Sequence, residues 1–288
     1  MTYLSQMKQA LFLIPFFLLS IKGFALEQTL YINKAEITVG TADVSFCSFN
    51  ETEELTAYNK VINLPFGEQL ELIVHNTDSL PHTFTIDGII ETENVIDGGL
   101  SATFTLDFPS EGTYRYYSDV SYGKSIGANG IVLVGFDASP NYYWNLFDLN
   151  KDLTDQLANT SVPSIVPPYQ PELFLINGAH FPNTLDDPSA LIEMELNDEV
   201  IISVINGGNM DHVLHFHGFH VLILEASVQS IRTNWIKDSV VMKKGEALTL
   251  KLIGNQVGVY PVHDHNLIAV TNTGFYPGGM LTQIIVSE

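Results

Sequence analysis

The chain of 288 residues repeats one pattern, and that repeat constrains what it can fold into. In the first half, Gly67 opens an apolar, strand-like run, Glu68 to His75, that ends at Asn76 and leads into Pro81-His82-Thr83-Phe84-Thr85-Ile86-Asp87-Gly88. In the second half, Glu199 to Ile205 ends at Asn206 and leads into Asp211-His212-Val213-Leu214-His215-Phe216-His217-Gly218. The step from Asn to His is six residues in both, and the step from Asn to Gly is twelve. A second pair follows, Gly112-Thr113-Tyr114-Arg115-Tyr116-Tyr117-Ser118-Asp119 against Gly258-Val259-Tyr260-Pro261-Val262-His263-Asp264-His265. Each unit then closes on a Gly and an apolar strand, Gly130 to Val134 and Gly279 to Val286. Two copies of one pattern in a chain of this length predict two domains.

The runs between these motifs are short, β-branched and aromatic, with turn residues at intervals: Thr29 to Val39, Ser101 to Leu106, His220 to Leu224, Ala247 to Ile253. No stretch of either repeat holds a 3.6-residue apolar period over three turns, although Trp144 to Leu157 has room for a short helix. The pattern predicts an all-β protein of two Greek-key β-sandwiches, residues 26–137 and 173–288. Residues 138–172, which include Pro163, Pro167, Pro168 and Pro171, read as the interdomain connection.

Residues 1–25 differ from the rest: Lys8 precedes the apolar run Ala10 to Ile21, and Gly23, Phe24 and Ala25 form a small-residue exit. This is the pattern of a secretory signal peptide, and the run falls short of the ~20 residues that span a bilayer. It predicts export, to the periplasm or the medium, with no membrane span in the mature chain. The charge balance, 12 Lys and Arg against 33 Asp and Glu, gives −21 and excludes a generic nucleic-acid binder, which needs a basic face. The lone cysteine, Cys47, excludes an intrachain disulfide and any Cys-rich metal site, and reads as a small buried residue.

The chemistry lies in the second repeat. Residues two apart on a strand share a face, so His215 and His217 point one way, as do His263 and His265. If the two strands are neighbours, four imidazoles converge. Imidazole without thiolate suits copper, with zinc as the alternative. His212 and Asp264 fall on the opposite, inward face, where a carboxylate is costly unless paired, so the two are expected to hydrogen-bond each other. His75, His180 and His220 have no partner at ligand spacing and read as surface or packing residues; Tyr114, Tyr116 and Tyr117 read as packing.

The segment His212 to Gly218 resembles the HxxHxHG motif of multicopper oxidases, and His263-Asp264-His265 resembles their HCH motif. Gly279-Met280-Leu281-Thr282-Gln283, the lead-in Phe174 to Gly178 and the strand ending at Asn206 also resemble the last plastocyanin-like (cupredoxin) domain of that family, and the first repeat resembles another such domain. The resemblance implies that His215, His217, His263 and His265 are one domain's share of a copper cluster and that His212 is a blue-copper ligand. The chain departs from the pattern at Asp264, which takes the blue-copper Cys position, at Ala269, which takes that of the following His, and at Met280, which lies several residues late. In the first repeat the cluster histidines are replaced by Thr85, Asp87, Tyr117 and Asp119, and Ser118 takes the Cys position, while His82 is kept. Asp87 and Asp119 thus become possible oxygen ligands. Two-domain members of the family build the site across subunits, so the resemblance implies a homotrimer in which the four histidines face Asp87 and Asp119 of a neighbour. The expected function is an exported protein that holds copper without an intact blue-copper site. One alternative is a copper-dependent oxidoreductase acting on oxygen and a small reductant, and a second is a metal-free structural or interaction module.

Overall fold

The computed structural model describes residues 25–91, 93–160, 164–165 and 168–288; the segment read as a signal peptide lies, apart from Ala25, outside them. Two β-sandwiches follow one another along the chain. In the first, a sheet in the order Ala42–Asn50, Leu26–Val39, Leu70–Asn76, Ser101–Leu106 faces a sheet in the order Ile62–Leu64, Asn129–Val134, Gly112–Tyr117, Thr85–Ile86. Alternation along Leu70–Asn76 turns Leu70, Leu72 and Val74 inward, where they meet Leu30, Ile32, Phe49, Phe84 and Tyr116.

The second sandwich repeats this plan with longer sheets. Six strands run in the order Leu173–Ile176, Asn141–Leu149, Glu199–Asn206, Ala247–Ile253, Val221–Ala226, Ile236–Lys237. Five run in the order Ile192–Glu195, Leu281–Ser287, Gly258–Asp264, His212–Phe216, Ser239–Met242. Trp144, Leu146, Val204, Leu214, Phe216, Leu250 and Val262 fill the space between them.

The equal spacing of the two repeats has a physical basis. Asn76 and Asn206 are both buried at the end of a core strand, and each spends its side chain on the turn that follows. Asn76 donates to the carbonyls of Leu80 (2.7 Å) and Ile96 (2.8 Å) and accepts from the Asp78 amide (3.0 Å). Asn206 donates to Met210 (2.9 Å) and Met242 (3.0 Å) and accepts from the Gly208 amide (3.0 Å). The same side chain closes the same turn in both sandwiches, and the histidine follows two residues after the carbonyl it holds.

Residues 138–172 are more than a connection. Asn141–Leu149 is a strand of the six-stranded sheet, parallel to Glu199–Asn206, and from Trp144 onward every residue in it is buried. Four of the stretch's five prolines, Pro163, Pro167, Pro168 and Pro171, lie beyond it. The helix Lys151–Ala158, capped by Asn150, lies against the first sandwich, where Asp155 accepts from the Ser45 amide at 2.8 Å. Val39, Val44 and Phe46 pack against Phe147, Leu149 and Leu175, and Thr113 bonds Thr249 and Ser203 at 2.9 and 3.1 Å, so the sandwiches share a buried seam. Cys47 is buried, and burial pushes its thiol pKa upward. No described helix is long and apolar enough to cross a membrane.

Candidate metal centre

His212–Phe216 lies between Gly258–Asp264 and Ser239–Met242 in the five-stranded sheet. The antiparallel register sets His215 opposite His263 and Leu214 opposite Asp264. Alternation then sends His212, Leu214, Phe216, Val262 and Asp264 into the core and leaves His215 and His263 on the outer face. His217 and His265, each two residues further on, join them. Ring centroids are 4.7 Å apart for His215 and His217, 5.5 Å for His215 and His265, and 5.0 Å for His217 and His263. Nε2 of His217 lies 2.9 Å from Nε2 of His263.

Two rings are oriented from behind. His263 Nδ1 is 2.7 Å from the Asp264 carbonyl oxygen, so it carries the proton and donates. His215 Nδ1 is 2.9 Å from Ser239 Oγ, on the cross-strand partner of His215. With the proton on Nδ1, His263 presents Nε2 as the acceptor, which here meets Nε2 of His217, and the Ser239 contact leaves Nε2 of His215 as the outward nitrogen of that ring. Partial burial, followed by repulsion from His263 and His215, lowers the pKa of His217 and favours the neutral form that can ligate. The donors suit copper. Among the described residues no group of three or more His, Cys, Asp or Glu side chains is placed to hold a metal ion within one chain.

The inward residues form a separate arrangement. His212 Nδ1 is 2.5 Å from Asp264 Oδ2, the pairing expected from strand parity, and its Nε2 is 3.0 Å from Asp148 Oδ1. All three side chains are buried. Asp264 Oδ1 also accepts from the Asn266 amide at 2.7 Å, and Asp148 accepts from the Asn209 amide at 2.9 Å and the Tyr169 hydroxyl at 2.6 Å. Burial lowers the His212 pKa, but the hydrogen bonds to Asp148 and Asp264 outweigh it and raise the pKa to about 9. Both nitrogens of His212 are engaged by carboxylates, so neither is free for a metal, contrary to the blue-copper role that the resemblance implied. Met280 is buried in the core and contributes its carbonyl, which accepts from the Asp264 amide at 3.1 Å.

The first sandwich carries the counterpart. His82 Nδ1 is 2.9 Å from Ser118 Oγ, and its Nε2 is 3.0 Å from Asp78 Oδ2. Asp78 in turn pairs with Lys34 at 2.7 Å. Although burial opposes it, the bonds from His82 and Lys34 drive the Asp78 pKa well below the usual carboxylate range. Asp87 accepts from the Tyr117 hydroxyl at 2.6 Å, and Asp119 pairs with Lys124. The Tyr117 ring lies under Arg115, 4.4 Å from its Cζ, so this tyrosine is held by cation and carboxylate and not by apolar packing alone. No hydrogen bond or ion pair joins Asp87 or Asp119 to the four histidines within the chain, among the described residues. His75 stacks on Tyr31, and His180 bonds the Phe181 carbonyl, both packing roles.

Sequence reasoning missed Asp148 and Ser239. Asp148 had a signal, since it is an acid within the apolar run Trp144 to Leu149 and therefore needs a buried partner. Ser239 had none, because only the strand register brings it to His215.

The comparisons with known proteins bear on the fold. Residues 165–287 match a multicopper oxidase family model, and residues 51–134 match a cupredoxin-like domain model. Among solved structures, the chain is similar to a blue copper oxidase from Nitrosomonas europaea (TM-score 0.77, 21% identity, covering 91% of this chain and 86% of that one). It is similar to the multicopper oxidase mgLAC (TM-score 0.76, 21% identity, with the same coverage). A copper nitrite reductase from Nitrosomonas europaea also matches (TM-score 0.70, 17% identity, 92% of this chain and 95% of that one). No curated protein sequence matches the chain. The chain is a multicopper oxidase-like protein built of cupredoxin domains.

Proposed function

We propose that this is an exported copper-binding protein that holds copper through His215, His217, His263 and His265 and lacks a blue-copper site. The observation that carries the reading is the register of His215 against His263, which gathers four imidazoles on one outer face with two Nδ1 atoms already tied down. Copper bound there supplies one-electron chemistry toward oxygen or a small reductant. The chain's own part is to orient the rings through Ser239 and the Asp264 carbonyl and to keep His217 neutral. Asp264 takes the thiolate position and is spent on His212, so the usual entry for substrate electrons is lacking; this favours holding copper over turnover. The open face supports assembly as a homotrimer, with Asp87 and Asp119 of a second copy set against the histidines.

The test is metal content per chain of the mature protein, by elemental analysis after exposure to copper and zinc and exhaustive desalting. One or more copper ions per chain, lost in His215→Ala/His263→Ala, is the expected result. A parent protein that retains no copper, or a double variant that retains as much, overturns the reading.

A further inference from the structure

Beside the histidines lies a cleft of about 400 Å³ that the metal site does not use. That is within the size range of small-molecule sites. Its floor is apolar, from Ile223, Val240 and Val241, and Trp235 forms one wall with 45% of its surface exposed. The charge of the walls runs against that of the protein. Three of the chain's 12 Lys and Arg line the cleft, Arg232, Lys237 and Lys243, and none of its 33 acids does. Two of these cations are matched from outside the cleft: Arg232 by Glu246, and Lys243 by Asp211 at 2.7 Å. Lys237 has no salt-bridge partner among the described residues, and its Nζ lies 5.5 Å from the Trp235 ring centroid. In a protein of charge −21, an unmatched ammonium beside an exposed indole marks a place for an anion with a flat, apolar body.

The cleft reaches the histidine face through one residue. Ser239 lines it, and Ser239 Oγ is the atom that His215 Nδ1 contacts at 2.9 Å. When Nδ1–H donates to Oγ, the serine hydroxyl proton remains to donate to a group held in the cleft that Ser239 lines. We propose that this cleft binds a small aromatic carboxylate, its ring on Trp235 and its charge at Lys237, with Ser239 relaying occupancy to His215. A carboxylate accepting from Ser239 makes Oγ a better acceptor for His215 Nδ1–H and so makes Nε2 a stronger donor. The consequence for copper rests on the four-histidine reading; the cleft and its contact with His215 do not.

The chain's two tryptophans make the experiment direct. Trp144 is fully buried in the second core, so ligand-dependent fluorescence reports Trp235. The metal-free protein is titrated with benzoate, with benzamide as the uncharged match and sulfate as an anion without a ring. Saturable quenching by benzoate alone is expected, weakened about tenfold in Lys237→Gln, with Trp235→Phe, which removes the reporter, as the baseline control. Benzoate should also shift the His215 imidazole resonances in the metal-free protein, and that shift should vanish in Ser239→Ala. Equal binding of benzoate and benzamide, or equal affinity in the parent and Lys237→Gln, overturns the site. Binding that leaves His215 unmoved overturns the relay. Failure of the copper reading appears separately, in metal content.

Discussion

Asp148 in the second sandwich occupies the strand position that Lys34 occupies in the first. Asp148 lies two residues beyond Leu146, the register partner of Asn206, and Lys34 lies two beyond Ile32, the register partner of Asn76. The charge is inverted and the neighbouring residue changes with it. In the first sandwich Lys34 reaches His82 through Asp78. In the second, Asp148 contacts His212 directly, and the position matching Asp78 is Gly208. A Cβ at Gly208 would lie 2.1 Å from Asp148 Oδ1, so the glycine leaves room for the acid. Gly208→Ala should therefore destabilise by ~1–3 kcal/mol in denaturant unfolding, the usual cost of overpacking.

Removing Asp264 leaves His212 bonded to Asp148 but with Nδ1 unmatched in the core. Asp264→Ala should cost ~3–5 kcal/mol, as expected for breaking a buried ion pair by taking one partner away. Chemical denaturation of variant and parent measures it, and equal stability would refute the coupling of Asp264 to His212.

The same pair makes stability depend on pH. Folding raises the His212 pKa from 6.5 to about 9, so the folded state binds the proton more tightly than the unfolded state. The stabilisation is fully present below pH 6.5 and is lost as pH rises through about 9. The melting temperature should fall across that interval, and His212→Gln should flatten the fall. A parent protein equally stable at both ends contradicts the charged pairing.

His212 should be dispensable for metal. Because Asp264 and Asp148 take both of its nitrogens, His212→Gln should keep the copper content of the parent while His215→Ala lowers it. Elemental analysis of the two folded variants separates the inward histidine from the outward set.

Assembly should depend on the apolar surface near the histidines. Val259, Leu267 and Ile268 are 58%, 73% and 64% exposed, on or just after the strand that carries His263. A trimer closing over that face would bury them. Val259→Lys/Ile268→Lys should convert most of the protein to monomer in sedimentation velocity and reduce copper retention. A parent that is itself monomeric argues against the shared site.

What the amino-acid sequence determined by itself was everything that alternation and spacing control. A strand has a period of two, so the pattern placed His215 and His263 outward and His212 and Asp264 inward before any fold was known. The Asn-to-His spacing, set by one side chain closing one turn, disclosed the repeat and with it the two sandwiches. The tertiary structure decided what depends on which strands are neighbours. Asp148 comes to His212 from 64 residues away on a strand of the facing sheet, within a stretch that reads as a linker. Ser239 and the cationic cleft reach His215 only through antiparallel register. Local periodicity carries the direction of a side chain. Its partners across a core are chosen by packing between distant segments, and no local pattern encodes that choice.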